Sequence, residues 1–190
     1  MTRLIGLYSP APQSGKTTVA NYLLVSGWRT VSFAAPIKHL VVQLLIQLGH
    51  SEDNARRLVN TDKSEEIPQL RTTTRHMMQT LGTEYGRNCI HPQVWVMCAE
   101  TRITKLLNQG TPVIVDDVRF PNEAALIRRL GGEMWRLERP QAERGTEHAS
   151  EGGLDAYPLF DRRIVNDGTL IDLYDRINEV LKPTVTVTPV

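Results

Sequence analysis

The sequence predicts an α/β protein of three layers, a five-stranded parallel sheet flanked by helices. Three observations lead there. Short apolar runs alternate with segments of helical pattern along the chain, the order expected of a parallel sheet covered on both faces. The first run, Arg3-Leu4-Ile5-Gly6-Leu7-Tyr8, passes into a loop and then a helix at Gly15-Lys16-Thr17. A later run, Val113-Ile114-Val115, closes on Asp116-Asp117, and ligands of open parallel sheets bind at that edge.

Taken in chain order, strands are expected over 3–8, 28–33, 112–117, 133–138 and 162–166. A short apolar run alone does not separate strand from helix, so Pro112 and the two aspartates decide the third. A helix is expected over 16–26, where the first loop ends, and another over 36–49, which opens on Pro36 and closes on Gly49. Ser51 precedes two acids as an N-cap would, starting a helix over 51–60. Helical patterns also cover 73–86, 92–109, 121–130 and 169–181. No linker or repeat divides the chain, so residues 1–182 are expected as one domain, followed by a tail over 183–190. The tail alternates with β character and reads either as a frayed end or as an edge strand in a partner.

The 190 residues are 41 % hydrophobic and 23 % charged, the balance of a globular protein with a real core. Twenty-two Lys and Arg against 21 Asp and Glu leave a net charge of +1, which argues against a surface for wrapping duplex DNA. Cys89 and Cys98 form no Cys-x-x-Cys pair, and Cys89 with His91 lacks a second pair of metal ligands. A reducing compartment suits this usage. There is no signal-peptide pattern and no apolar stretch near the ~20 residues that span a bilayer. The expectation is a cytoplasmic protein with no membrane partner.

Ser9-Pro10-Ala11-Pro12-Gln13-Ser14-Gly15-Lys16-Thr17-Thr18 lies between the first strand and the first helix, the context in which Gly-Lys-Thr means phosphate binding. Backbone N–H groups of Ala11, Gln13, Ser14, Gly15, Lys16, Thr17 and Thr18 can turn around an anion, aided by the helix N-terminus. Lys16 can reach the β- and γ-phosphates of ATP, and the Thr17 hydroxyl can ligate Mg²⁺. Pro10 stands where the first glycine of this P-loop motif is expected, with Pro12 nearby. Proline stiffens the loop and removes a donor.

P-loop enzymes usually carry an acid at the end of a second strand. Asp117 is preferred here, with Asp116 as the alternative in the metal's shell, because neighbouring strand residues point to opposite sides. Guanidinium donors suit the charge on a moving phosphoryl group. Candidates are Arg71, Arg75, Arg87, Arg119, Arg136, Arg139 and Arg144. On the 73–86 helix, Arg75, Gln79 and Gly82 fall near one face. The polar stretch from Arg139 to His148 reads as a lid that excludes water.

Several blocks now stand in a characteristic order. They are Gly15-Lys16-Thr17, Phe33-Ala34-Ala35-Pro36-Ile37-Lys38 and Met78-Gln79-Thr80-Leu81-Gly82-Thr83-Glu84-Tyr85-Gly86-Arg87. Asp117-Val118-Arg119-Phe120-Pro121-Asn122-Glu123, His148-Ala149-Ser150-Glu151 and Ile164-Val165-Asn166-Asp167-Gly168-Thr169 follow. Over most of 3–181 the chain resembles phage-type deoxynucleoside monophosphate kinases, in the adenylate-kinase-like group of the P-loop NTPase fold. The resemblance implies transfer of the ATP γ-phosphate to a deoxynucleoside monophosphate, with Mg²⁺. It implies a substrate-binding helical part over about 34–95 and a lid over about 139–150. Phe33, Lys38, Arg75, Gln79, Thr83 and Arg87 would line the monophosphate site, with Asp117 and Arg119 between the nucleotides. Arg139 and Arg144 would serve the lid and Asn166-Asp167-Gly168 the adenine, while Arg136 matches no motif. A homodimer is compatible with the resemblance, as is a host cytoplasm for a phage-encoded chain.

Two alternatives stand beside this reading. A kinase of the same scaffold acting on 5-hydroxymethylpyrimidine in DNA would need a base, which Asp117 could supply. The near-neutral charge disfavours DNA modestly. A nucleotide-binding switch without transfer is the alternative of another class, and the arginines flanking the expected cleft disfavour it. Dephospho-coenzyme A kinase is a scaffold relative, which the Leu81–Arg87 block fits less well.

Overall fold

The computed structural model describes residues 3–140 and 153–182. The chain divides into two compact units, one made of the residues up to Ser32 with those from Glu100 onward, the other of Phe33–Ala99.

The first unit is built on a five-stranded sheet of β1 (Leu4–Tyr8), β2 (Arg29–Val31), β5 (Val113–Val115), β6 (Glu133–Glu138) and β7 (Arg162–Val165). Its order is β2-β5-β1-β6-β7, and every pairing is parallel. β1 is therefore central and buried along its whole length, which explains its unbroken apolar run. Side chains alternate across it. Ile5 and Leu7 join Trp135 and Leu137 in a core with Val19, Ala20 and Leu23 of α1 (Lys16–Val25) and Leu173 and Ile177 of α7 (Leu170–Leu181). On the other face Gly6 leaves room for α6 (Pro121–Arg129). A Cβ there would sit 2.7 Å from Met134 Sδ and 3.0 Å from Ile127 Cγ1. Arg129 of α6 ties to Glu100 of α5 (Val94–Asn108) by two hydrogen bonds of 2.6 and 2.9 Å.

Arg136, which no motif explained, is a structural cation. It is 9 % exposed and lies 5.6 Å from the ring centroids of both Tyr8 and Phe160. Its Nε donates to Glu138 at 2.5 Å and its Nη1 to the Asp155 carbonyl at 3.2 Å. The Tyr8 hydroxyl donates to Asp155 Oδ1 at 2.6 Å, and burial followed by that hydrogen bond holds the phenol far above its ordinary pKa. Cation, rings and carboxylate together fasten residues 154–160 to the sheet.

The second unit contains α2 (Ala35–Gln47), α3 (Glu52–Asn60), a short antiparallel pair β3 (Glu66–Ile67) and β4 (Thr72–Thr73), and α4 (Thr74–Thr80). Val41, Val42 and Leu45 of α2 pack with Ala55, Leu58 and Val59 of α3 and with Ile67. Ser51 caps α3 as expected, accepting from Asn54 N at 3.3 Å. The β3–β4 pair was not foreseen, because two residues a strand leave no alternation to read.

The helix expected over 73–86 changes type. After Thr80 it widens into a π-helix over Leu81–Ile90, a rare form often found at functional sites. Gly82 and Gly86 and the neighbouring Trp95 account for this. The Trp95 indole N–H donates to the Gly82 carbonyl at 2.8 Å. A Cβ on Gly86 would meet Trp95 Cζ2 at 2.4 Å and the Leu81 carbonyl oxygen at 2.7 Å. Gly82 therefore stands in the π-helix, not on an α-helical face with Arg75 and Gln79. The other expected elements appear with each end within two residues of its expected place, as for Arg29–Val31 within 28–33.

Two stability outcomes follow from this packing. Arg136→Ala is expected to cost about 2 kcal/mol, below the full cost of breaking a buried pair because Glu138 keeps some solvent. That lowers Tm by about 4–8 °C in a thermal melt. Gly86→Ala should cost about 1–3 kcal/mol through overpacking against Trp95, read in urea unfolding followed by tryptophan fluorescence.

Candidate phosphate site

The five strands end on one edge, and the segments leaving β1, β6 and β7 build a cavity there. It has a volume of about 390 Å³ and is lined by Gln13 to Thr18, Arg139, Asn166, Gly168 and the start of α7. All of these belong to the first unit. The loop after β1 carries two left-handed residues, Gln13 at φ 55° and Gly15 at φ 103°. The second requires glycine twice over, since a Cβ would also sit 2.8 Å from Asn166 Nδ2.

Lys16 opens α1, whose N-cap Gly15 has no side chain to cap it and whose first turn contains no acid. The N-terminus of a helix begun in this way suits an anion, with the positive end of the helix behind it. Ser14 is 1 % exposed and its Oγ is buried without a hydrogen-bond partner among the described residues. A buried hydroxyl in that state is what a ligand oxygen would satisfy. The donor set of amides, one ammonium and hydroxyls fits a chain of phosphates. Thr17 in the lining is the hydroxyl suited to its metal.

Two side chains reach the loop from other strands. Arg139, directly after β6, donates from Nη1 to the Gln13 carbonyl at 3.3 Å. Asn166, directly after β7, donates from Nδ2 to the Ser14 carbonyl at 2.9 Å. Neither contact was legible beforehand, since 126 and 152 residues separate the partners. Asn166 is in turn held by its own N–H on the Glu138 carbonyl at 2.6 Å.

The cavity lining brings together Gln13, Ser14, Gly15, Lys16, Thr17, Thr18, Arg139, Asn166 and Gly168 from among the expected residues. Ala11 lies outside it, buried at the loop's base, where its N–H meets Ser9 Oγ at 3.3 Å. Asp167 pairs with Arg176 at 2.7 Å. Asp116 and Asp117 follow β5, the neighbour of β1 at the same sheet edge. Asp117 Oδ2 accepts from Ser32 Oγ at 2.6 Å, which orients the carboxylate from β2's side. The Arg119 backbone N–H donates to the buried Glu123 carboxylate at 2.7 Å and that of Phe120 at 3.1 Å, fixing the turn into α6. Arg144 and His148 lie outside the described residues.

The remaining candidates belong to the second unit. Phe33 is buried, Lys38 lies in the first turns of α2, and Arg75 Nε meets Ser64 Oγ at 3.3 Å. Gln79 lies on α4, while Thr83 and Arg87 lie on the π-helix. Their spacing of four there comes close to one π turn, so the two lie near one another along it. Arg71 has φ 49° in the turn before β4. No helix among the described residues is long and apolar enough to cross a membrane.

Comparison with known proteins supplies independent evidence. A family model described as deoxynucleotide monophosphate kinase matches residues 47–177, which leaves the phosphate loop as a separate observation. A protein of Acanthamoeba polyphaga mimivirus, provisionally assigned the same kinase name, is 30 % identical over 92 % of this chain and 93 % of its own. The deoxynucleoside-5'-monophosphate kinase of Escherichia phage T5 is 29 % identical over 67 % of this chain and 50 % of its own. The deoxynucleotide monophosphate kinase of Enterobacteria phage T4 is 31 % identical over 58 % and 46 %. The chain thus spans about half the length of these two phage enzymes. Among solved structures, a dephospho-CoA kinase from Campylobacter jejuni superposes with TM-score 0.53 at 15 % identity, covering 95 % of this chain and 96 % of that one. A Thermus thermophilus protein gives 0.52 at 18 %, with the same coverage. These show the fold.

The start of α7 lines the cavity and depends on one carboxylate. Asp172 Oδ2 accepts from the N–H and the hydroxyl of Thr169, each at 2.7 Å. These bonds, the hydroxyl's first, hold its pKa below the usual carboxylate value. A lowered pKa means its stabilisation is complete above the ordinary Asp value and is lost as pH falls through the folded value. Asp172→Asn should therefore be less stable than the wild type at pH 7 and converge with it in acid, as read from urea midpoints across that range.

Proposed function

Because the chain belongs to the deoxynucleotide monophosphate kinase family, we propose that it moves the γ-phosphoryl group of ATP onto the 5′-phosphate of a deoxynucleoside monophosphate. The products are ADP and the deoxynucleoside diphosphate. The observation that carries this reading is the anion-suited cavity at the start of α1, whose loop residues Gln13 to Thr18 lie outside the segment that the family model matches.

The acceptor is a phosphate oxygen, anionic at neutral pH, so no strong general base is required. Positioning and charge stabilisation carry the rate. The bond between the γ-phosphorus and the oxygen bridging to the β-phosphate breaks as the bond to the acceptor oxygen forms. Lys16 and the loop amides hold the β- and γ-oxygens. Arg119, Arg139 and Arg144 meet the charge on the transferring group, and Asp117 orients the reactants from β5. Mg²⁺, when bound, neutralises phosphate charge, and Thr17 and Asp116 would hold it, because this ion keeps most of its shell as water and phosphate. Phe33, Lys38, Arg75, Gln79, Thr83 and Arg87 are assigned to the acceptor. The relatives' names specify deoxynucleotide monophosphates, which disfavours a hydroxyl acceptor in DNA.

Lys16→Ala is expected to abolish ADP formation, and Arg119→Ala to lower kcat by about 10²-fold or more while leaving the melting curve in place. A coupled ADP assay across dAMP, dGMP, dCMP, dTMP and hydroxymethylated DNA measures both. A Lys16→Ala protein with near-normal turnover would remove the assigned role.

A further inference from the structure

The phosphate loop has an unusual problem. Proline at positions 10 and 12 removes two N–H donors, so the amides of Ser14 and Gly15, next to Lys16, carry more of the anion. Gln13 is left-handed without being glycine, a conformation that costs an ordinary side chain about 1 kcal/mol or more. Such a loop does not hold its shape by local preference alone.

What holds it comes from the far strands. In a planar trans peptide the C=O and the following N–H point in opposite directions. A donor fixed on the Gln13 carbonyl therefore sets the direction of the Ser14 N–H, and one on the Ser14 carbonyl sets that of Gly15. Arg139 and Asn166 supply these two donors, at 3.3 and 2.9 Å. Asn166 is the better placed, because its backbone is pinned to Glu138 at 2.6 Å and its Nδ2 fills the space that a Gly15 side chain would need.

We infer that Asn166 is a positioning residue for the triphosphate, acting through the Ser14 carbonyl to hold the Gly15 amide toward the phosphates, with Arg139 doing the same for Ser14. This rests on the loop being the ATP phosphate site. It differs from a contact between Asn166 and the adenine base in a measurable way. A base contact is lost on a ligand that has no base, whereas an effect through the loop persists.

The test is calorimetric binding of ATP and of inorganic tripolyphosphate, in magnesium buffer, to the full chain and to Asn166→Ala, together with steady-state kinetics. Asn166→Leu, similar in shape and without a donor, provides the second variant in case the alanine protein melts early. The expected result is a loss of about tenfold for both ligands, the worth of one hydrogen bond to a loop amide's partner. KM for ATP should rise by a similar factor while KM for the deoxynucleoside monophosphate stays put. Weaker ATP binding with unchanged tripolyphosphate binding overturns the inference in favour of a base contact. Unchanged binding of both overturns it outright. A wild-type chain that binds neither ligand and makes no ADP defeats the phosphate-site reading itself, and the inference with it.

Discussion

Five parallel strands bring their carboxyl ends to a single edge, and a parallel sheet has no other way to end. That constraint puts the loop after β1, the aspartates after β5, Arg139 after β6 and Asn166 after β7 side by side. None of these is a neighbour of another in the chain. Central placement of β1 matters equally, because burial on both faces makes it a rigid stem for the loop it carries. The loop's amides can hold an anion only if their directions are set in advance, since reorganising them on binding would consume the binding energy.

Stabilising and functional features are separable in this chain. Arg136 is a cation one strand away from the phosphate loop, yet its guanidinium is taken up by Glu138, the Asp155 carbonyl and two aromatic rings. Arg139, three residues on, lies in the cavity lining. A strand's alternation does not distinguish them, because Arg139 has left the strand. Surroundings decide which arginine meets a ligand. The same holds for the aspartates, where Asp172 serves a helix cap and Asp117 faces Ser32 at the sheet edge.

Much of the architecture was legible from the residues. The five strands, the helices at 16–26, 36–49 and 51–60 and the phosphate loop all follow from apolar runs, Pro and Gly punctuation and capping residues. These signals work because they are local: an N-cap such as Ser51 satisfies an amide three residues away. The π-helix was not legible, since its cause lies in Trp95, which donates to Gly82 from thirteen residues on. The β3–β4 pair escaped because pairing of two-residue strands is a matter of where the chain returns, not of its pattern.

By itself the sequence determined the fold class, the family and the residue types at the phosphate loop, because hydrophobic periodicity and short motifs record local conformation and chemistry. Only the tertiary structure decided which of many arginines is buried, where the π turn falls and which distant side chains hold the Gln13 and Ser14 carbonyls. Contacts across more than a hundred residues leave no spacing to read. They exist because the sheet sets β6 beside β1, about 4.8 Å away, and β7 one strand further on, although both are far from β1 in the chain.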